Sequence, residues 1–181
     1  MGANDNEYNI ESPVDFTRFC EDVGPEAFRL AMYWAGNRSE AEDIVQEAFL
    51  RTWKSGKDAR MNLKGWFFRV LWHVFLDKRK NANRETVQDV SWKSLDMHTP
   101  YEKVNDREEI DWLLQTVSEN DRHLLAMHYC TDLTFRQIAE ITGMREGTIK
   151  SRIHRTLKSI RKQLPKEYKN HYGKERTNHE S

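Results

Sequence analysis

Between Thr134 and Leu164 the chain reads TFRQIAEITGMREGTIKSRIHRTLKSIRKQL, and this stretch concentrates the side chains best suited to grip a polyanion. Ile149, Ile153, Leu157 and Ile160 recur at helical spacing and define a face turned to a core. Opposite them stand Glu146, Thr148, Lys150, Ser151, His154 and Arg155. Arg and Lys donate to guanine acceptors or to phosphates, Ser and Thr bond either, and Glu accepts from a cytosine amino group. Arg152 and Lys158 are assigned to phosphate. The chemistry expected of this stretch is recognition of duplex DNA, with no bond made or broken.

Two further clusters have a chemical character. Ala41, Ile44, Val45, Ala48, Phe49 and Trp53 form one apolar face, and Glu42, Asp43, Gln46 and Glu47 share the other. That second face is too acidic for DNA and suits a basic protein partner. Downstream, Phe68, Trp72 and Phe75 lie off the stripe made by Leu63, Trp66, Phe67, Val70, Leu71 and Val74, so this segment is apolar nearly all round. It then runs into Lys78, Arg79 and Lys80, a combination that can stack bases and follow a backbone. His123, His128 and Cys130 are the best metal-binding candidates, but their spacing makes no recognised motif. Cys20 and Cys130 form no CxxC and point to no disulfide framework. We therefore expect no enzyme activity, no cofactor and no metal.

Helices must position these residues. Thr134 with Gln137 makes a capping box, Ala139 is small where two helices approach, and Gly143 supplies a tight turn. Met144 and Ile149 re-enter the core beyond it, which completes a helix-turn-helix pattern. Upstream, Pro25 predicts a helix start, followed by Ala27, Phe28, Ala31, Met32 and Ala35 and ending at Gly36-Asn37. Ser39, with Glu42 three residues on, predicts the cap of a second helix that ends at Gly56. A third begins near Asn62. Ile110, Leu113, Leu114 and Val117 share a face, and Asp121 is expected to cap a helix holding Leu124, Leu125 and Tyr129.

The whole chain has 181 residues, enough for two small domains. It has 38% apolar and 32% charged residues with only eight Gly and four Pro, which predicts an all-α fold. A net charge of zero conceals an alternation: residues 1–60 carry −5, 61–84 carry +5, 85–121 carry −7 and 122–181 carry +7. Two separate basic surfaces follow. Periodicity fades between the two basic regions, so residues 1–84 and 107–165 are expected as helical domains, 85–106 as an irregular linker and 166–181 as a basic tail. No apolar run approaches the length of a membrane span and the acidic start is unlike a signal peptide, so the expected compartment is the cytoplasm, without membrane insertion.

Three segments, in order, resemble the extracytoplasmic-function sigma factors of the sigma-70 family. AEDIVQEAFLRTW (41–53) resembles the family's polymerase-binding helix, LKGWFFRVLWHVFLDKRK (63–80) its promoter-melting helix, and GTIKSRIHRTL (147–157) its −35 recognition helix. The resemblance implies an N-terminal sigma-2-like bundle and a C-terminal sigma-4-like helix-turn-helix. It also implies binding of core RNA polymerase through Asp43, Gln46 and Glu47, and of −10 promoter DNA through Phe68, Trp72, His73, Lys78 and Arg79. His73 stands where the family commonly has Asn. The resemblance further implies two modules positioned by the polymerase rather than by each other, and an anti-sigma factor as a partner. The alternative is a stand-alone helix-turn-helix regulator, which leaves residues 41–53 unexplained.

Overall fold

The computed structural model describes residues 8–55, 62–85, 116–131 and 133–163, and these residues form six helices with no strand among them. They are α1 (Pro13–Ala35), α2 (Arg38–Ser55), α3 (Leu63–Glu85), α4 (Glu119–Tyr129), α5 (Phe135–Thr142) and α6 (Glu146–Gln163). The expected linker (85–106, apart from Glu85), the helix face at Ile110, Leu113 and Leu114, and the tail (166–181) lie outside the described residues.

Helix α1 starts twelve residues before the expected Pro25. Ser12 caps it by accepting the Asp15 N–H at 3.3 Å, and Pro13 occupies the first turn, where its missing N–H costs nothing. Phe19 and Val23 extend the apolar face of Ala27, Leu30, Ala31 and Trp34 back past Pro25. Burial of that continuous face outweighs the single intrahelical hydrogen bond that Pro25 removes. Gly36, at φ 74°, closes the helix by donating its N–H to the Met32 carbonyl.

The other starts follow the same capping logic, in two cases from a different residue. Asn37, not Ser39, accepts the Glu40 N–H at 2.8 Å and starts α2. Asn62 accepts the Gly65 N–H at the start of α3. Ser118, not Asp121, caps α4, and Asp121 stands inside its first turn. The Thr134–Gln137 capping box forms as expected at α5, and Gly143 ends α5 at φ 72°.

Helices α1, α2 and α3 pack on one another, as do α4, α5 and α6, and the two groups share one hydrophobic core. Phe19, Phe49 and Phe67 form the centre of the first group, with ring centroids 4.5–6.2 Å apart. Ile138, Ile141, Ile149 and Ile153 fill the second. The groups meet where α5 lies on α3 and α4 approaches α1. The modules therefore hold each other here, which departs from the expectation that only the polymerase positions them. This also explains the aromatic excess of α3. One flank faces α1 and α2, and the other is covered by the C-terminal group.

Candidate nucleic-acid and polymerase interfaces

The helix-turn-helix sets α6 at a defined angle to α5 through short-range devices. Ile138 and Ala139 of α5 and Ile149 and Ile153 of α6 are buried against each other across the Gly143 turn. This packing leaves Thr148, Lys150, Ser151, His154, Arg155 and Lys158 exposed, with Glu146 half-buried at the helix start. Lys150 Nζ lies 2.6 Å from Glu146 Oε1 and 5.7 Å above the Phe135 ring. Arg155 Nε donates to the Ser151 carbonyl at 3.3 Å, which orders its guanidinium along the exposed face.

Arg152 departs from this pattern. Its Nε donates to Asp121 Oδ1 at 2.7 Å, and both side chains are only 24% exposed. Asp121 also accepts from Ser118 Oγ at 2.5 Å. Arg152 is thus the strut between α6 and α4 and is turned from the phosphate contact expected of it, because the carboxylate of another helix lies within reach.

On α2, Asp43, Gln46 and Glu47 line one cleft with Leu50, Arg51, Val74, Asp77, Lys78 and Asn81. Arg51 bridges Glu47 at 2.7 Å and Asp77 at 3.1 Å, and these hydrogen bonds raise its pKa above the ordinary guanidinium value. Lys78 reaches Asp43 at 3.1 Å. The expected polymerase-facing and DNA-facing residues therefore share an edge. Arg51, Leu50 and Asp77 were not picked out by sequence, since their place in the cleft depends on the packing of α2 on α3. Trp53, expected in the core, is 39% exposed, with its ring 4.7 Å from that of Phe16.

On α3, the five residues expected to meet unstacked bases separate. Phe68 is 1% exposed and belongs to the core, which removes it from the candidate surface. It sits one position after Phe67 in a helix covered on two sides. Trp72 is half-buried against Trp34 and Phe75, at 5.1 and 5.6 Å between centroids. His73 is exposed, Lys78 is tied to Asp43, and Arg79 pairs with Glu119 of α4.

The described residues contain no group of three His, Cys, Asp or Glu side chains able to hold a metal, and both cysteines are free thiols. His128 stacks on Phe135 at 4.3 Å, whereas His123 points among aromatic rings. Among the described residues, no helix is long and apolar enough to cross a membrane.

An exposed basic helix in a helix-turn-helix, joined in one chain to a bundle whose α2–α3 cleft is lined by ion-paired charges, defines a two-module, all-helical DNA-binding protein. Family models agree, with Sigma-70 region 2 matching residues 19–85 and Sigma-70 region 4 matching residues 107–160. The chain belongs to the sigma-70 family, in its extracytoplasmic-function branch. It is 30% identical over 151 residues to the RNA polymerase sigma factor SigV of Bacillus subtilis, covering 81% of this chain and 89% of that one. It is also 30% identical over 141 residues to the ECF RNA polymerase sigma factor SigL of Mycobacterium tuberculosis, covering 74% and 80% respectively. Among solved structures, the fold resembles the sigma factor RpoE of Bartonella quintana, crystallised with the anti-sigma factor NepR. That match has a TM-score of 0.63 at 23% identity and covers 82% of this chain and 95% of the other. CnrH, in complex with the cytosolic domain of CnrY, matches with a TM-score of 0.59 at 14% identity, covering 82% and 86%.

Proposed function

We propose that this chain directs core RNA polymerase to a set of promoters and aids strand opening there, acting in the cytoplasm without chemistry of its own. Residues 1–84 form the polymerase-binding and −10 module, 107–165 the −35 module, 85–106 the connector and 166–181 a basic tail. Asp43, Gln46 and Glu47 meet a basic surface of the polymerase. Trp72, His73, Lys78 and Arg79 meet the −10 element, and Glu146, Thr148, Lys150, Ser151, His154, Arg155 and Lys158 meet the −35 element. Arg152 positions the recognition helix instead of touching DNA. An anti-sigma factor is the expected regulatory partner, since both structural relatives above were solved with a protein bound, NepR being named an anti-sigma factor.

The observation that carries this reading is the exposed polar and basic face of α6, fixed by the Gly143 turn, in the same chain as the α2–α3 cleft that gathers Asp43, Gln46 and Glu47. Run-off transcription with core polymerase and genomic DNA fragments tests it. The expected result is a discrete set of transcripts that requires both core polymerase and this protein. Failure to associate with core polymerase, with duplex binding retained, would instead establish a stand-alone helix-turn-helix regulator.

A further inference from the structure

His123 serves neither of the proposed binding surfaces, yet it lies at the centre of the contact between the two modules. It is 2% exposed, and neither ring nitrogen has a hydrogen-bond partner. From α4 its ring projects among Trp34 of α1 and Trp72 and Phe75 of α3, with centroids at 6.3, 5.7 and 5.1 Å and edge-to-face geometry throughout. Arg79 of α3 pairs with Glu119 of α4, and its guanidinium lies 5.7 Å above Phe75. Helix α5 packs along α3 beside this contact. Trp72 and Arg79, two of the residues proposed to meet −10 DNA, are thus engaged inside the molecule.

We infer that the free chain holds itself closed, with α4 and α5 docked on the DNA-reading face of α3 and the neutral imidazole of His123 as the plug. This rests on the proposed role of α3, and it makes melted promoter DNA and the C-terminal module competitors for one aromatic surface. The occupant of that surface is the chain itself, so closure needs no second protein. The plug also makes closure releasable. Two unpaired ring nitrogens in an aromatic cage are costly to bury, and water satisfies them once the modules part.

The same geometry sets a dependence on pH. Burial is the main influence on the imidazole and pushes its pKa down from 6.5 to about 4; Glu119 opposes this, and Arg79 and Arg122 reinforce it. In the open state the ring returns to water and to a value near ~6.5. The open state therefore binds the extra proton between those two values. Closure is at full strength above about pH 6.5 and weakens about tenfold for each pH unit from there down to about 4.

Small-angle scattering of the full chain, without polymerase, tests the docking, with far-UV circular dichroism to confirm that the helices persist. The wild type is expected to be compact at pH 7.5 and to expand toward pH 5. His123→Leu stays compact at both values, whereas His123→Arg and Glu119→Arg expand at pH 7.5. Arg79→Glu combined with Glu119→Arg restores compactness. Binding of a single-stranded −10 oligonucleotide to the free chain tests the competition, and the expanded variant His123→Arg is expected to bind about tenfold more tightly than wild type. No expansion in helical His123→Arg and Glu119→Arg would overturn the docking while leaving the role of α3 intact. Expansion with no gain in oligonucleotide binding would overturn the competition and place the error in the role of α3.

Discussion

Arg155 and Arg152 stand three positions apart on α6 and do different work. Arg155 is on the exposed face, and its replacement by Ala is expected to weaken −35 binding by about 1–3 kcal/mol, with loss of preference at one base position. Fluorescence anisotropy of the polymerase-bound protein on a panel of single-base variants measures this. A uniform loss across the panel would reassign Arg155 to phosphate. Arg152 is held by Asp121, so Asp121→Ala should lower stability by about 1.5–3 kcal/mol, because it leaves a charged, mostly buried donor without its acceptor. Urea unfolding reads that difference. Phe68 makes a third case. Its replacement by Ala should cost about 3–5 kcal/mol of stability, as for a ring removed from a packed core. An unchanged urea midpoint for Phe68→Ala would return it to the list of surface aromatics.

Helix ends account for much of how the elements form and turn. The reciprocal Thr134–Gln137 box satisfies donors at the start of α5, and Thr134→Ala is expected to cost about 1 kcal/mol. Gly143 adopts the left-handed conformation at φ 72°, and a Cβ there would meet nothing within 4 Å. The strain of Gly143→Ala is therefore purely backbone strain, about 1–2 kcal/mol, and Gly143→Asn should cost less because its side chain tolerates that region. Thermal unfolding of the two variants checks the order, and a loss for Gly143→Asn as large as for Gly143→Ala would contradict it. At α1 the competing influences are visible in one element. Pro25 is a strong local start signal, but the apolar face running from Phe19 to Trp34 continues through it.

At the scale of the molecule, the two DNA contacts proposed above would gain strength by being made together. Under the proposed function, core polymerase holds the modules at the promoter spacing and so makes the second contact an intramolecular one. Promoter affinity of the polymerase-bound protein is thus expected to exceed that of the free chain, whose −10 face is covered, by at least roughly 100-fold. Titration of labelled promoter with and without core polymerase gives the ratio. Full promoter specificity from the free chain would contradict this account.

Local chemistry was readable from the sequence: the helices of the described residues, α1 only from Pro25 onward, and the helix-turn-helix with its exposed polar face follow from apolar spacing, caps and turn residues within a few positions of one another. The caps of α2 and α4 were misplaced by two or three residues because several neighbouring side chains are of capping type, each able to accept the N–H three residues beyond itself. Tertiary structure alone decided which α3 aromatics are core, that Arg152 pairs with a carboxylate 31 positions away, and that Arg79 pairs with Glu119 across 40 positions. The reason is geometric. Periodicity identifies an apolar or charged face but not the distant helix that will cover it, and for Phe68, Trp72 and His123 that covering helix determines whether the ring packs in a core, stacks on a base or seals a joint.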